Sequence, residues 1–224
     1  MFKNLSVKIK LSILIGLLSI LLVVIGAVGL YGMNQTVAGL RTVYEDRTVP
    51  IADLGSMRRY LLLNRIDITS SLATPDPEFI RQKTSAVEDN IKEISKLWDK
   101  YMATTLTPEE ARLAEQFGDA DKRFIAEGLE PAIAALRANN MVRANRIMEE
   151  KIRPLYEPVG SGLNDLIALQ IRVAEEEFHA AESTFASIRN LAIGSIVIGL
   201  LLAVALGVII VRGITLPLGM AVQL

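Results

Sequence analysis

Two stretches of the chain carry no charge at all, and the charged residues crowd between them. The first runs from Leu11 to Leu40, and its part up to Leu30 is almost wholly Leu, Ile, Val, Gly and Ala. The second runs from Leu191 to Val211, bounded by Arg189 and Arg212. Each is about the length an α-helix needs to cross hydrocarbon. A cleaved signal peptide is the rival for the first, with Lys3, Lys8 and Lys10 ahead of it and Ala27-Val28-Gly29 as small residues. Its apolar core is too long for such a peptide and runs on into a helical pattern without a turn. Lys3, Lys8 and Lys10 then place the N-terminus in the cytoplasm, two spans return the C-terminus there, and the segment between is extracytoplasmic. Ser195, Gly199, Ala203 and Gly207 recur every four residues in the second span. That spacing either lets helix backbones approach closely or reflects the frequency of Gly and Ala in membrane helices.

Between the spans the apolar spacing alternates between three and four. Ile80, Thr84, Val87, Ile91, Ile94, Trp98 and Tyr101 form one stripe, which packs as a left-handed bundle seam. Thr74-Pro75-Asp76-Pro77 predicts the turn before it, because proline stops one helix and opens the next. Thr107-Pro108-Glu109-Glu110 predicts another helix start, with Thr as cap and acids in the first turn. The third helix carries Leu113, Phe117, Ala120 and Phe124, with a kink expected near Gly128 and Pro131; Asn139-Asn140 predicts a turn. The fourth places Val159, Leu163, Leu166, Gln170 and Val173 in register after Pro154 and Pro158 and runs unbroken into the second span. The first helix likewise runs out of the first span. No strand pattern interrupts this reading. The fold class is all-α: two transmembrane helices flanking an antiparallel four-helix bundle outside the cytoplasm.

The first helix poses a chemical question. Its seam is read as Leu40, Tyr44, Arg47, Ile51, Leu54, Arg58, Leu61, Arg65, Ile68 and Leu72, with three arginines where the period predicts burial. A seam charge is costly unless paired. Arg58 and Arg65, two turns apart on one face, are candidate carboxylate receivers, since the planar guanidinium fork bonds a carboxylate bidentately. Alternatively the arginines neutralise acids within the bundle or across a dimer interface, with Asp67, Glu157, Asp165 and Glu175 to Glu177 available. Thr69, one turn past Arg65, offers a hydroxyl. Arg153 and Tyr156 flank the Pro154 bend, where irregular backbone could face a ligand; Tyr156 also fits a core aromatic with its hydroxyl outside.

Composition narrows the rest. About half the residues are apolar (51%), the net charge is −1, and there is no basic face to suggest nucleic acid. The cysteine count is zero, which excludes a disulfide framework and a thiolate metal site. His179, the single histidine, fits a solvated face and no metal site. No nucleophile–histidine set, phosphate loop or ligand cluster suggests an enzyme, a cofactor or a metal.

Three strings stand out: Tyr44-Glu45-Asp46-Arg47-Thr48-Val49-Pro50 after the first span, Arg153-Pro154-Leu155-Tyr156, and Leu163-Asn164-Asp165-Leu166-Ile167-Ala168-Leu169-Gln170. Together they resemble the bacterial methyl-accepting chemotaxis receptors with a four-helix-bundle sensor domain. After the second span, Arg212-Gly213-Ile214-Thr215-Leu216-Pro217-Leu218 resembles the opening of a HAMP linker. The resemblance implies a division into a cytoplasmic N-terminus (1–10), a first span (11–33), a sensor (34–189), a second span (190–211) and a HAMP start (212–224). It implies a homodimer in the bacterial inner membrane, with lipid around its spans and a periplasmic ligand-binding domain. A small ligand, an organic acid or amino acid, shifts the fourth helix. The chemotaxis kinase and adaptor are reached only through parts beyond Leu224. In aspartate-sensing relatives a Thr-Arg-Ile-Asn-Leu-Ser-Arg stretch carries two of three ligand arginines. Asn64-Arg65-Ile66-Asp67-Ile68-Thr69-Ser70 matches it in register, so Arg65 takes the first place while Ser70 and Thr74 fall at the other two. That departure points away from aspartate and toward another anion, such as a dicarboxylate or an aromatic acid. HAMP linkers also serve sensor histidine kinases and cyclic-dinucleotide enzymes, and a non-signalling membrane-anchored scaffold is the alternative of another class.

Overall fold

A computed structural model describes residues 6–104 and 106–221; Lys3 and the end of the expected HAMP start, 222–224, lie outside them. Among the described residues all regular secondary structure is helical, with seven α-helices: α1 Val7–Thr42, α2 Val49–Ala73, α3 Pro77–Met102, α4 Pro108–Arg123, α5 Glu130–Arg137, α6 Met141–Ile147 and α7 Arg153–Ala221. The caps follow the predicted chemistry. Asp76 accepts from the Phe79 N–H at 2.8 Å. Thr107 and Glu110 form a reciprocal capping box. Asn139 takes φ 55°, a left-handed conformation that asparagine tolerates, and Asn140 caps α6.

The kink expected at Gly128 and Pro131 is a π-helical turn, one of three among the described residues: Val43–Thr48, Phe124–Leu129 and Met148–Ile152. The helix after each has proline as its second residue: Pro50, Pro131 and Pro154. Proline lacks an N–H and its ring collides with the carbonyl four residues back. A turn widened by one residue moves that carbonyl aside and lets the rod continue. Four rods result, covering 7–73, 77–102, 108–137 and 141–221.

Residues Arg41–Glu177 form one compact unit. Its rods are antiparallel, as the cross-links show: Asp53 to Lys100 and Asp67 to Lys83 between α2 and α3, and Phe117 against Gly162 and Phe124 against Tyr156 between the third and fourth rods. The core holds the predicted α3 stripe, with Ile91 and Trp98 only partly buried, together with Phe117, Phe124, Val159, Leu163, Leu166 and Gln170. Trp98 stacks on Tyr101 and tilts against Phe117.

In α2 the expected seam needs correction. Leu54, Leu61 and Ile68 are buried as predicted, but the alternate positions are Met57, Asn64 and Ser71, not Arg58, Arg65 and Leu72. Arg58 is exposed and Arg65 half-buried. The helix is turned by one residue, which exchanges two guanidinium groups for a thioether, an amide and a hydroxyl. Asn64 accepts from Asn90 at 2.9 Å, a far smaller desolvation problem than an unpaired arginine.

The second unit comprises the chain up to Leu40 and from Phe178. Its two helices are long and apolar enough to cross a membrane. Leu14, Leu18, Leu21, Ile25, Val28 and Gly32 are the more covered positions of α1, and Ile188, Ala192, Ser195, Gly199, Ala203 and Leu206 those of α7. Gly39 faces Ala181, Gly32 faces Ile188 and Gly199 faces Leu21, so the pair is antiparallel and in register. A Cβ at Gly32 would lie 2.6 Å from Ile188, so close approach there requires glycine; one at Gly207 would meet nothing within 4 Å.

Asp121 breaks the apolar rule within the bundle. It stands on α4 between Phe117 and Phe124 in the heptad, and its Oδ1 is buried without a partner among the described residues. Burial raises its carboxyl from 3.8 to about 6. A folded-state value above the unfolded one means ionisation opposes folding. The cost is absent below about pH 4, grows through the interval and is complete above about pH 6, at roughly 3 kcal/mol or less. Asp121→Asn is therefore expected to raise the thermal midpoint of the solubilised chain at pH 7.5 and to leave it nearly unchanged at pH 4. Equal shifts at both pH values would show that the carboxylate is not the source.

Candidate ligand-binding groove

The turn of α2 that keeps its arginines out of the core puts them on the rim facing the start of α7. There Arg58, Arg65, Arg153, Tyr156, Glu157, Gly160, Ser161 and Asn164 line one open groove of about 430 Å3. Proline and the π-turn before it set the α7 wall, since Arg153 and Tyr156 flank Pro154 directly after Met148–Ile152. Tyr156 is fixed from behind by Phe124, edge-on at 6.1 Å, and a Cβ at Gly160 would stand 3.8 Å from its ring. Arg65 lies over its ring, with Cζ 4.6 Å from the centroid. Such a cation–π contact is worth about 0.5–2 kcal/mol. Arg58 donates to Asn164 Oδ1 at 3.2 Å.

Among the described residues neither Arg58 nor Arg65 takes part in an ion pair; their partners are the neutral Asn164 and Tyr156. Neutral contacts leave most of a guanidinium's hydrogen-bonding capacity for an anion, and two such groups on one face can take a carboxylate bidentately. Arg153 differs, being held by Glu149 at 2.7 Å on the surface. Glu157 puts one carboxylate on the same lining. Four of the five expected site residues thus meet here. The fifth, Thr69, does not line the groove: its hydroxyl donates to the Arg65 carbonyl at 2.7 Å.

The remaining seam arginine, Arg47, has the other fate. Its side chain is 12% exposed, and its Nε and Nη2 donate to Glu177 Oε1 at 3.2 and 2.9 Å. Nη1 reaches Gln170 Oε1 at 3.4 Å and stands 4.0 Å from Glu110. Tyr101 donates to Glu110 at 2.6 Å, and Gln170 donates to both Glu110 and Tyr101. Burial opposes the Arg47 charge, but the Glu177 hydrogen bond and the charges of Glu177 and Glu110 outweigh it and raise its pKa. Burial, reinforced by the bond to Glu110, pushes the Tyr101 phenol well above its usual range. Sequence reading missed Tyr101 and Glu110 as members of this cluster, because each had a sufficient local explanation as core aromatic and helix cap. Gln170 gave the available signal, a polar side chain in an apolar seam.

The profile of the family described as Tar ligand binding domain homologue matches residues 1–174. The chain belongs to that family. The match takes in the whole groove and every member of the buried cluster except Glu177. Two relatives agree. The chain is 26% identical over 189 residues to methyl-accepting chemotaxis protein NahY of Pseudomonas putida, covering 83% of this chain and 34% of that protein. It is 21% identical over 214 residues to methyl-accepting chemotaxis protein HlyB of Vibrio cholerae, covering 93% of this chain and 39% of that protein. The chain thus spans little more than a third of the length of these relatives. For this family member the buried cluster is a stability element as well. Tyr101→Phe removes one donor to the buried Glu110 carboxylate and is expected to cost about 1–3 kcal/mol, read as a lowered denaturation midpoint. An unchanged midpoint would mean that Gln170 and the Thr107 N–H together satisfy Glu110.

Proposed function

We propose that this chain is the sensory and membrane-spanning part of a bacterial methyl-accepting chemotaxis receptor, and that its groove binds a small carboxylate. The observation that carries the ligand reading is the pair of arginines without acidic partners, Arg58 and Arg65, facing one groove. Arg153, Tyr156 and Asn164 complete the lining, and Thr69 acts through the Arg65 backbone. The family and the two relatives support the receptor role. In this reading residues 11–33 and 190–211 cross the inner membrane, residues 34–189 form the extracytoplasmic sensor, and Arg212 onward opens a HAMP linker to a cytoplasmic output. Ligand that prefers one arrangement of α2 and α7 shifts the population toward it.

The test is the thermal midpoint of the whole chain in detergent against a panel of organic acids and amino acids. Ligand bound only by the folded state raises the midpoint, by the equivalent of about 2.7 kcal/mol at a hundred times Kd. A rise with one acid that disappears in Arg65→Ala supports the reading; a rise that survives that substitution overturns the site.

The receptor is also proposed to be a homodimer through the outer face of α2. Ala52, Gly55, Arg59, Leu62, Ile66, Thr69 and Ala73 repeat at alternating spacings of three and four, opposite the core seam. Leu62 and Ile66 are about half exposed, at 48% and 47%. A second heptad stripe on one helix suits a partner helix. Ile66→Arg is expected to shift the solubilised chain from dimer to monomer in light scattering while leaving its helicity intact. A dimer that persists would place the interface elsewhere.

A further inference from the structure

The groove does not use the buried ionic cluster around Arg47. Arg47 gathers a residue from every rod: Tyr101 and Glu110 through Gln170, and Gln170 and Glu177 directly. Glu110, Tyr101 and Gln170 are at most 2% exposed. The chain leaves the 41–177 unit at only two places, before Arg41 and after Glu177, and Arg47 and Glu177 stand close to them in sequence.

Two details distinguish this cluster from ordinary ion pairing. Gln170 and Glu177 lie two turns apart on one face of α7, about 10 Å along its axis. The Arg47 fork straddles them, close to Glu177 at 2.9 Å and loosely on Gln170 at 3.4 Å, with Glu110 at 4.0 Å. It therefore has a second set of acceptors already within reach when α7 slides. The second detail is its backbone, since Arg47 sits in the π-turn Val43–Thr48, which contains no buried residue. A widened turn can revert toward α-geometry with small local changes. α7 itself runs unbroken from Arg153 to Ala221.

We propose that Arg47 is a register latch: its hold on Glu177, balanced against Gln170 and Glu110, sets the resting position of α7 along α1. Arg47 is thus a positioning residue for signal transmission and makes no contact with ligand. Removing either member of the close pair shifts α7 relative to α1 without dismantling the bundle. The use of that shift rests on the receptor reading above; the latch itself does not.

The absence of native cysteine makes disulfide trapping clean. Gly39 and Ala181 face each other, with a Cβ at Gly39 only 3.3 Å from the Ala181 Cβ. In native membranes the chain carrying Gly39→Cys and Ala181→Cys is oxidised, without any ligand, and the rate of crosslinking is followed. The comparison adds Arg47→Ala, Glu177→Gln, or Lys100→Ala, which breaks the Asp53–Lys100 bridge between α2 and α3. The expected result is a rate changed by roughly fivefold or more in the first two and unchanged in the third. Unchanged rates throughout overturn the latch, and an equal change in all three reduces it to general loosening. Should Arg47→Ala fail to accumulate, Glu177→Gln alone decides, since it keeps size and shape at a partly exposed position. A failed ligand screen has no bearing on these outcomes.

Discussion

An arginine cannot enter an apolar seam without a partner for its charge, and the architecture of the bundle depends on how that constraint is met. The first rod carries three arginines at heptad positions. Where acids and amides are supplied from other rods, as around Arg47, the charge goes inside and ties the four rods together. Where no acid pairs with the guanidinium, at Arg58 and Arg65, the helix turns by one residue and buries Met57, Asn64 and Ser71 instead. The same physical cost thus produces a closed cluster at one end and an open cationic groove further along.

The prolines shape both places. Each of the three π-turns among the described residues precedes a proline that occupies the second position of the next helix. Two of these turns, Phe124–Leu129 and Met148–Ile152, pack together, where Gly128 lets the Ile152 side chain come within 3.4 Å of where a Cβ would stand. From that junction Tyr156 emerges with Phe124 behind it and Arg65 over it. The groove wall is therefore held by core packing, while its cationic face stays open to solvent. The third turn carries Arg47, so widened backbone is found at both polar features of the sensor.

The antiparallel pair formed by α1 and α7 obeys a different solvent. Its large side chains, such as Leu22 and Val23 at 69% and 70% exposure, point outward, and close contact is reserved for glycine at Gly32 and Gly199. Part of the small-residue stripe is used here within one chain. Ser195, Gly199, Ala203 and Gly207 all fall on the covered side, although a Cβ at Gly207 would meet nothing within 4 Å.

Periodicity and capping chemistry by themselves determined the helical class, the α3 and α7 seams, the turns at Thr74–Asp76 and Asn139–Asn140, and both apolar spans. These are properties of residues a few positions apart, so the chain states them locally. The resemblance that led to the family also rested on local strings, such as Arg153-Pro154-Leu155-Tyr156. Tertiary structure decided the rotation of α2, because two stripes one residue apart share Leu54, Leu61 and Ile68, and only the other rods settle which is buried. It also decided that Arg58, Arg65, Arg153 and Tyr156 meet while Thr69 turns to its own backbone. The membership of Tyr101 and Glu110 in a cluster with Arg47 was likewise beyond the sequence. Each looks complete within its own helix, and the interaction that joins them exists only once four separate rods converge.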